Sequence, residues 1–198
     1  MKSNYILSNL IDQVIALIIL LLLLPLLGIL YVLVKLTSRG CFIFKQKRMG
    51  KDMKIFTIYK IRTMIEGAER LQNKYKELNQ YNDPIFKIHE DPRYTTVGKF
   101  LAKAGLDEIP QLINILKGDM TIVGPRPLPI SEGKKVPKRY IKRFKVLPGI
   151  IPPWLRVGSE SLTTNLWLEE DLKYVKNKSL KYDSVLFLKG MMHLIKVL

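Results

Sequence analysis

From Val14 to Val34 no position carries a charge, and Pro25 and Gly28 interrupt an otherwise apolar run. About twenty apolar residues suffice to cross a hydrocarbon core. Proline removes a backbone donor and kinks a helix, so the pattern predicts a membrane helix broken at Pro25. Two geometries follow: a kinked span, or a helix that enters, breaks and returns on the same side. The run exceeds the apolar core of a secretory leader, and no small-x-small cleavage site follows it. Its length and apolarity also exceed those of a buried helix in a soluble domain. Lys35, Arg39, Lys45, Lys47 and Arg48 crowd the C-terminal flank against Lys2 ahead of the run, which places the remaining chain on the cytoplasmic side.

Beyond the run the pattern shortens. Cys41 to Gln46 and Lys54 to Tyr59 read as two strands joined by a turn at Met49-Gly50-Lys51-Asp52, a β-hairpin. Thr63 and Glu66 have capping-box spacing, predicting a polar helix from Thr63 towards Gln80. A short helix is expected over Gly98 to Ala104. Ile109, Leu112, Ile113 and Leu116 form one apolar stripe that Gly118 ends. Pro110 fits only a first turn, so that helix begins at Asp107-Glu108. Rigid loops follow at Gly124-Pro125-Arg126-Pro127 and from Leu147 to Trp154. A closing helix from Ser184 gathers Lys189, His193 and Lys196 on one face, either packed on the core or lying in a membrane interface. The expected class is α+β, mainly helical. Residues 1–38 would form the membrane segment and residues 39–198 one small domain with a β-hairpin and interfacial amphipathic helices.

Composition narrows the chemistry. The chain has 33 Lys+Arg against 17 Asp+Glu, a formal +16, which suits anionic lipid headgroups, nucleic acid or anionic metabolites. No basic–aromatic interleaving of a nucleic-acid module is present, so nucleic acid is not an expected partner. A single cysteine, Cys41, excludes an internal disulfide and a thiolate zinc cluster. His89 and His193 are too few and too far apart to indicate a metal site by themselves.

Three groups stand out. Asp107 and Glu108 at a helix start would be held as anions, available as a nucleophile or as ligands for a hard cation such as Mg²⁺, or would serve only as N-cap and first-turn acid. Pro125 and Pro127 stiffen the backbone around Arg126, whose guanidinium suits bidentate phosphate recognition, or mark a rigid surface turn. Lys60 and Arg62 put two cations at a strand-to-helix junction, a phosphate site or a solvated basic edge.

Leu106-Asp107-Glu108-Ile109-Pro110-Gln111-Leu112, running on through Gly118-Asp119-Met120 to Gly124-Pro125-Arg126-Pro127, resembles the signature of bacterial sugar transferases. These are the monotopic phosphoglycosyl transferases that begin glycoconjugate assembly. Lys60-Ile61-Arg62-Thr63-Met64, Asp91-Pro92-Arg93, Val97-Gly98-Lys99-Phe100 and Pro148-Gly149-Ile150 fit the same pattern in the same order. The resemblance implies an enzyme of the bacterial inner membrane, acting at its cytoplasmic face, that moves a sugar phosphate from a UDP-sugar to a polyprenyl phosphate. It implies Asp107 as nucleophile forming a covalent phosphosugar, Glu108 as its assistant, Mg²⁺ with the diphosphate, and a re-entrant helix broken at Pro25. Membrane lipids are implied as surroundings, and self-association is left open. Ala102, where the family commonly has arginine, and the unusual loop around residues 151–160 argue for an alternative, a catalytically weak relative serving as a membrane-bound partner in a glycan pathway, while the intact Asp107, Glu108 and Arg126 argue against it.

Overall fold

The structure, a computed structural model, describes residues 2–81, 83–88, 90–157 and 163–197, with side chains placed from Leu7 to Met192 within those ranges. His89 and the side chains of Lys2, His193 and Lys196 lie outside the described residues. The architecture mixes helix and sheet, as the α+β expectation required.

The apolar run forms two helices, α1 (Lys2–Leu22) and α2 (Leu24–Thr37), bent by 60° at Leu23. Pro25 sits in the first turn of α2 and cannot donate to the Leu21 carbonyl, while its ring crowds that carbonyl. The ladder resumes with the Leu27 N–H on the Leu23 carbonyl at 2.9 Å. Among the described residues no single helix is long and apolar enough to cross a membrane, though the bent pair together is. Val14, Leu17, Leu21, Ile29, Val32 and Leu36 are exposed on the pair, whereas Ala16, Leu30 and Val34 are buried against the domain.

The hairpin is present, displaced towards the C-terminus: β1 (Ile43–Met49) pairs antiparallel with β2 (Ile55–Ile61). The turn between them carries Asp52 and Met53 at positive φ. Helix α3 (Thr96–Lys103) is capped by the Thr95 hydroxyl, which accepts the Gly98 N–H at 3.0 Å. Helix α4 (Gln111–Leu116) leads into β3 (Thr121–Val123), followed by β4 (Leu128–Pro129), the short α5 (Ile130–Gly133) and β5 (Gly149–Ile151). The three-stranded sheet has the order β2-β1-β4, and β3 pairs parallel with β5. Helices α6 (Thr164–Asn177) and α7 (Leu180–Val197) close the fold. Ala16, Ile58, Leu112, Ile115, Ile122, Tyr174 and Leu186 form a core between α1, β2, α4, β3, α6 and α7. Leu186 is buried there while Val185, Leu188, Met191 and Met192 are exposed, leaving α7 an apolar outer face.

Three expectations need correction. The polar helix from Thr63 does not form as such, and only its far part is helical, as a 3-10 helix at Asn73–Leu78. Instead the Thr63 carbonyl accepts the Thr95 N–H at 3.0 Å and the Ile65 N–H donates to the Arg93 carbonyl at 2.9 Å. Backbone groups engaged sideways cannot form a helical ladder, and the chain then turns through Gly67 at φ +75°. Gly98 permits this crossing, since a Cβ there would lie 1.9 Å from the Thr63 carbonyl oxygen. Second, Asp107 and Glu108 do not begin α4. They occupy a separate 3-10 turn, Leu106–Glu108, because Pro110 has no N–H and becomes the N-cap of α4. Third, the buried face of α4 is Gln111, Leu112, Asn114 and Ile115, and Ile113 faces outward. The reason is Asn114, whose side-chain amide donates to the Thr57 carbonyl at 2.7 Å and accepts the Tyr59 N–H at 3.1 Å. That reciprocal pair ties α4 to β2 and sets where the preceding acidic turn falls.

Candidate active site

Because α4 is pinned to β2, the 3-10 turn lies over Lys60. The Lys60 ammonium donates to Asp107 Oδ2 at 3.0 Å and to Glu108 Oε1 at 2.8 Å. Arg126 Nη2 meets the same Glu108 oxygen at 3.0 Å. The structure thus brings together four of the residues singled out from sequence, from three distant segments. Oδ1 of Asp107 and Oε2 of Glu108 accept no hydrogen bond from the described residues.

The two carboxyls sit in opposed electrostatic settings. Burial pushes the Asp107 carboxyl above its usual value, and Lys60 offsets that only in part. Burial also works against the Glu108 anion, but Arg126 and Lys60 outweigh it and hold the carboxyl down at about 2. Asp107 is therefore the more basic oxygen, and Glu108 a permanent anion between two cations.

Arg126 owes its position to its main chain. Gly124 and Gly149 approach so closely that a Cβ on Gly149 would lie 2.1 Å from the Gly124 nitrogen. The Gly149 N–H donates to the Pro125 carbonyl at 3.1 Å. Arg48 Nη1 donates to the Pro127 carbonyl at 3.0 Å, and Arg143 Nη2 to the Arg126 carbonyl at 2.8 Å. Behind Arg143, Asp171 accepts from its Nε at 2.9 Å in full burial.

Arg62 lines the same cavity but does not touch the acid pair. Its guanidinium donates to the Arg39 carbonyl and, at 2.9 Å each, to the Ser38 carbonyl and hydroxyl, so it fastens the exit of α2 to the end of β2. Asp91 and Arg93 form a buried bidentate pair, with Arg93 Nη1 donating to the Ala68 carbonyl at 3.1 Å. Their part is to hold the loop that replaced the expected helix.

Sequence reasoning missed Arg48, Lys87 and Glu132. Burial and the nearby Arg126 charge push Arg48 down to about 10. Desolvation and Arg126 likewise lower Lys87, although that residue keeps solvent contact. Asn79 sets the Lys87 loop, accepting the Lys87 N–H at 2.8 Å. Burial raises Glu132 to about 7. The only sequence trace of these residues is the excess of basic positions. Lys60, Arg126, Arg48 and Lys87 gather around Asp107, Glu108 and Glu132, so the site carries surplus positive charge that an anionic ligand would offset. A cavity of about 580 Å³ opens beside it, lined by Lys60, Asp107, Gln46, Arg48, Glu132 and Ala102 among others.

No third His, Cys, Asp or Glu joins Asp107 and Glu108 in a metal-binding group among the described residues. Two adjacent carboxylates with free oxygens do fit Mg²⁺, which is commonly held by one or two carboxylates together with substrate phosphates.

An acid pair bridged by lysine and arginine thus lies at the mouth of a cationic cavity, beside a bent apolar helix pair. The profile of the bacterial sugar transferase family matches residues 3–197, and the chain belongs to that family. It is 37% identical over 145 residues to the galactosyl transferase CpsE of Streptococcus agalactiae serotype III (strain NEM316), covering 73% of this chain and 32% of that protein. The undecaprenyl-phosphate galactose phosphotransferase of Salmonella typhimurium (strain LT2) is 36% identical over 169 residues, covering 81% of this chain and 35% of its own. The UDP-glucose:undecaprenyl-phosphate glucose-1-phosphate transferase of Escherichia coli (strain K12) is 36% identical over 189 residues, or 91% of this chain and 38% of the relative. The chain therefore spans about a third of the length of these curated relatives.

Proposed function

We propose that this chain is a phosphoglycosyl transferase that moves a sugar 1-phosphate from a UDP-sugar to a polyprenyl phosphate, undecaprenyl phosphate, and releases UMP. The observation that carries the reading is the Asp107–Glu108 pair held by Lys60 and Arg126 at a cationic cavity. The names of the relatives support the same substrates. Asp107, the more basic carboxylate, attacks the β-phosphorus with Oδ1. The bond from that phosphorus to the bridging oxygen breaks, and its electron pair leaves on UMP. An oxygen of the polyprenyl phosphate then attacks the aspartyl-bound phosphorus and returns the electron pair to Asp107. Lys60 and Arg126 offset charge on the diphosphate while Glu108 keeps both cations in place. Asp107 and Glu108 would hold Mg²⁺, which supplies further charge neutralisation when bound.

The second substrate is a lipid, and the helix pair suits access to it. Asp12 on α1 accepts from the Thr121 hydroxyl and from the Ile122 N–H, and Gln13 donates to the Leu116 carbonyl at 3.2 Å. Arg62 grips Ser38 at the other end. Both arms are thus fastened to one domain, with the bend at Leu23 between them. At 1.5 Å per residue the arms from Asp12 and Ser38 to the bend measure roughly 16 and 21 Å. With a 60° bend the apex lies on the order of 10 Å from the line joining the arms' ends, against about 30 Å for a hydrocarbon core. This supports shallow re-entry from the cytoplasmic face of the bacterial inner membrane, with the exposed leucines among membrane lipids.

The test is trapping. Incubation with a UDP-sugar labelled in its β-phosphate, without lipid, should leave label on the wild-type protein and none on Asp107→Asn. Label on the Asn variant would sink the assignment.

A further inference from the structure

We propose that Gln46 and Arg48 on β1, with Glu132 across the same cavity, form the subsite that reads the hydroxyl groups of the transferred sugar. The inference rests on the transferase reading above and adds to it the residues that would face the sugar.

Phe44, Gln46 and Arg48 alternate along β1, and the register sets Phe44 beside Lys60. The row from Lys60 to Arg48 therefore spans about 13 Å, four strand residues at ~3.3 Å each. One end of the row holds the acid pair, and the remainder lines the same cavity of about 580 Å³. In the transferase reading the sugar is bonded directly to the phosphate that Asp107 attacks, so it must occupy space adjoining the acid pair. The uridine is one phosphate further away.

Two polar atoms in this row lack partners. The Gln46 amide donates from Nε2 to Glu69 at 2.8 Å, but its Oε1 is buried with no donor. Arg48 donates from Nη1 to Pro127, but its Nε is buried with no acceptor. A buried polar atom without a partner is costly, so each can take up a ligand group.

The balance of donors and acceptors favours a sugar over a base. Gln46 Oε1, Glu69 and Glu132 are acceptors, whereas a uracil ring offers one N–H and presents two carbonyl oxygens that carboxylates would repel. A pyranose offers several hydroxyls, each both donor and acceptor. Glu132, half-buried and receiving the Phe86 N–H, titrates at about 7 and can accept or donate to such a group near neutral pH. Phe86 and Tyr94 line the same cavity and supply apolar faces for the ring's C–H edge.

The full chain in detergent micelles, studied by saturation-transfer NMR with UDP-glucose, UDP-galactose and UDP, tests this. Wild type should transfer saturation to the sugar-ring protons of at least one of the two UDP-sugars. Gln46→Met and Glu132→Met, which roughly keep side-chain volume, should each lose most of that signal. Binding of the UDP-sugar should weaken about tenfold, equivalent to ~1.4 kcal/mol, while UDP binding changes less than about twofold. Equal losses for UDP and the UDP-sugar would assign this end of the cavity to the nucleoside and overturn the proposal. So would unchanged sugar-proton signals in both folded variants. UMP release by wild type with undecaprenyl phosphate reports the transferase reading separately. Release combined with unaltered variants removes the sugar subsite alone, and absence of both binding and release removes both readings.

Discussion

Arg143 Nη2 donates to the backbone carbonyl of Arg126 at 2.8 Å, so the arginine that grips Glu108 is held in place from behind by a second arginine. Asp171 balances Arg143, and both are almost fully buried. Arg143→Met should cost about 3–5 kcal/mol of stability, because it leaves Asp171 buried without its partner. Adding Asp171→Leu should restore most of that loss but little of the turnover, since the Arg126 carbonyl remains unsupported. Urea denaturation and UMP release measure the two effects. A folded double variant with wild-type turnover would show that Arg126 needs no such support.

Lys60 touches both carboxylates and offsets part of the rise that burial imposes on Asp107. In Lys60→Met that offset disappears and two carboxyls are left adjacent. The Asp107 carboxyl should rise further, moving the acid limb of the kcat/KM profile to higher pH. A profile that keeps its position while falling in height would assign Lys60 to substrate binding only.

Glu132 gives a stability that depends on pH. Its folded value of about 7 lies above the ordinary 4.5, so the native state binds the proton more tightly than the unfolded chain. The contribution is fully present below about pH 4.5 and is lost as pH rises through about 7, up to roughly 3 kcal/mol. Glu132→Gln should flatten the fall in unfolding free energy between pH 5 and 8. An equal slope in both proteins would place the titration elsewhere.

Pro25→Leu restores the missing donor to the Leu21 carbonyl and should straighten α1 and α2 into one helix. Some molecules should then span the bilayer and expose the N-terminus outside. An impermeant thiol reagent added to cells carrying Ser3→Cys and Cys41→Ser, with and without Pro25→Leu, reports the side. External labelling with Pro25 intact would rule out re-entry.

The hairpin and the helix break were legible because alternation and a charge-free run are local signals. The acid pair, Lys60 and Arg126 were visible as separate motifs, but nothing in their spacing showed that one lysine would bridge both acids. Thr63 and Glu66 misled because capping-box spacing says nothing about a strand-like neighbour at Arg93 to Thr95 taking the same backbone groups. Helix α6 escaped notice because its Glu170 and Asp171 look like solvent residues. Both are fully buried, paired with Arg156 and Arg143 from other segments. Arg62 looked like a phosphate ligand, yet both of its terminal Nη groups are occupied by Ser38 and Arg39. Long-range pairing of charges is the information a linear pattern lacks.

Strand β2 is an outer strand of its sheet, and such a strand presents free N–H and C=O groups on which another chain can pair. Asn114 occupies that position at Thr57 and Tyr59, imitating one peptide unit of a neighbouring strand. A protein carrying Asn114→Leu therefore faces a hazard beyond a misplaced acid turn, because its open border would invite chain-to-chain stacking and loss from solution.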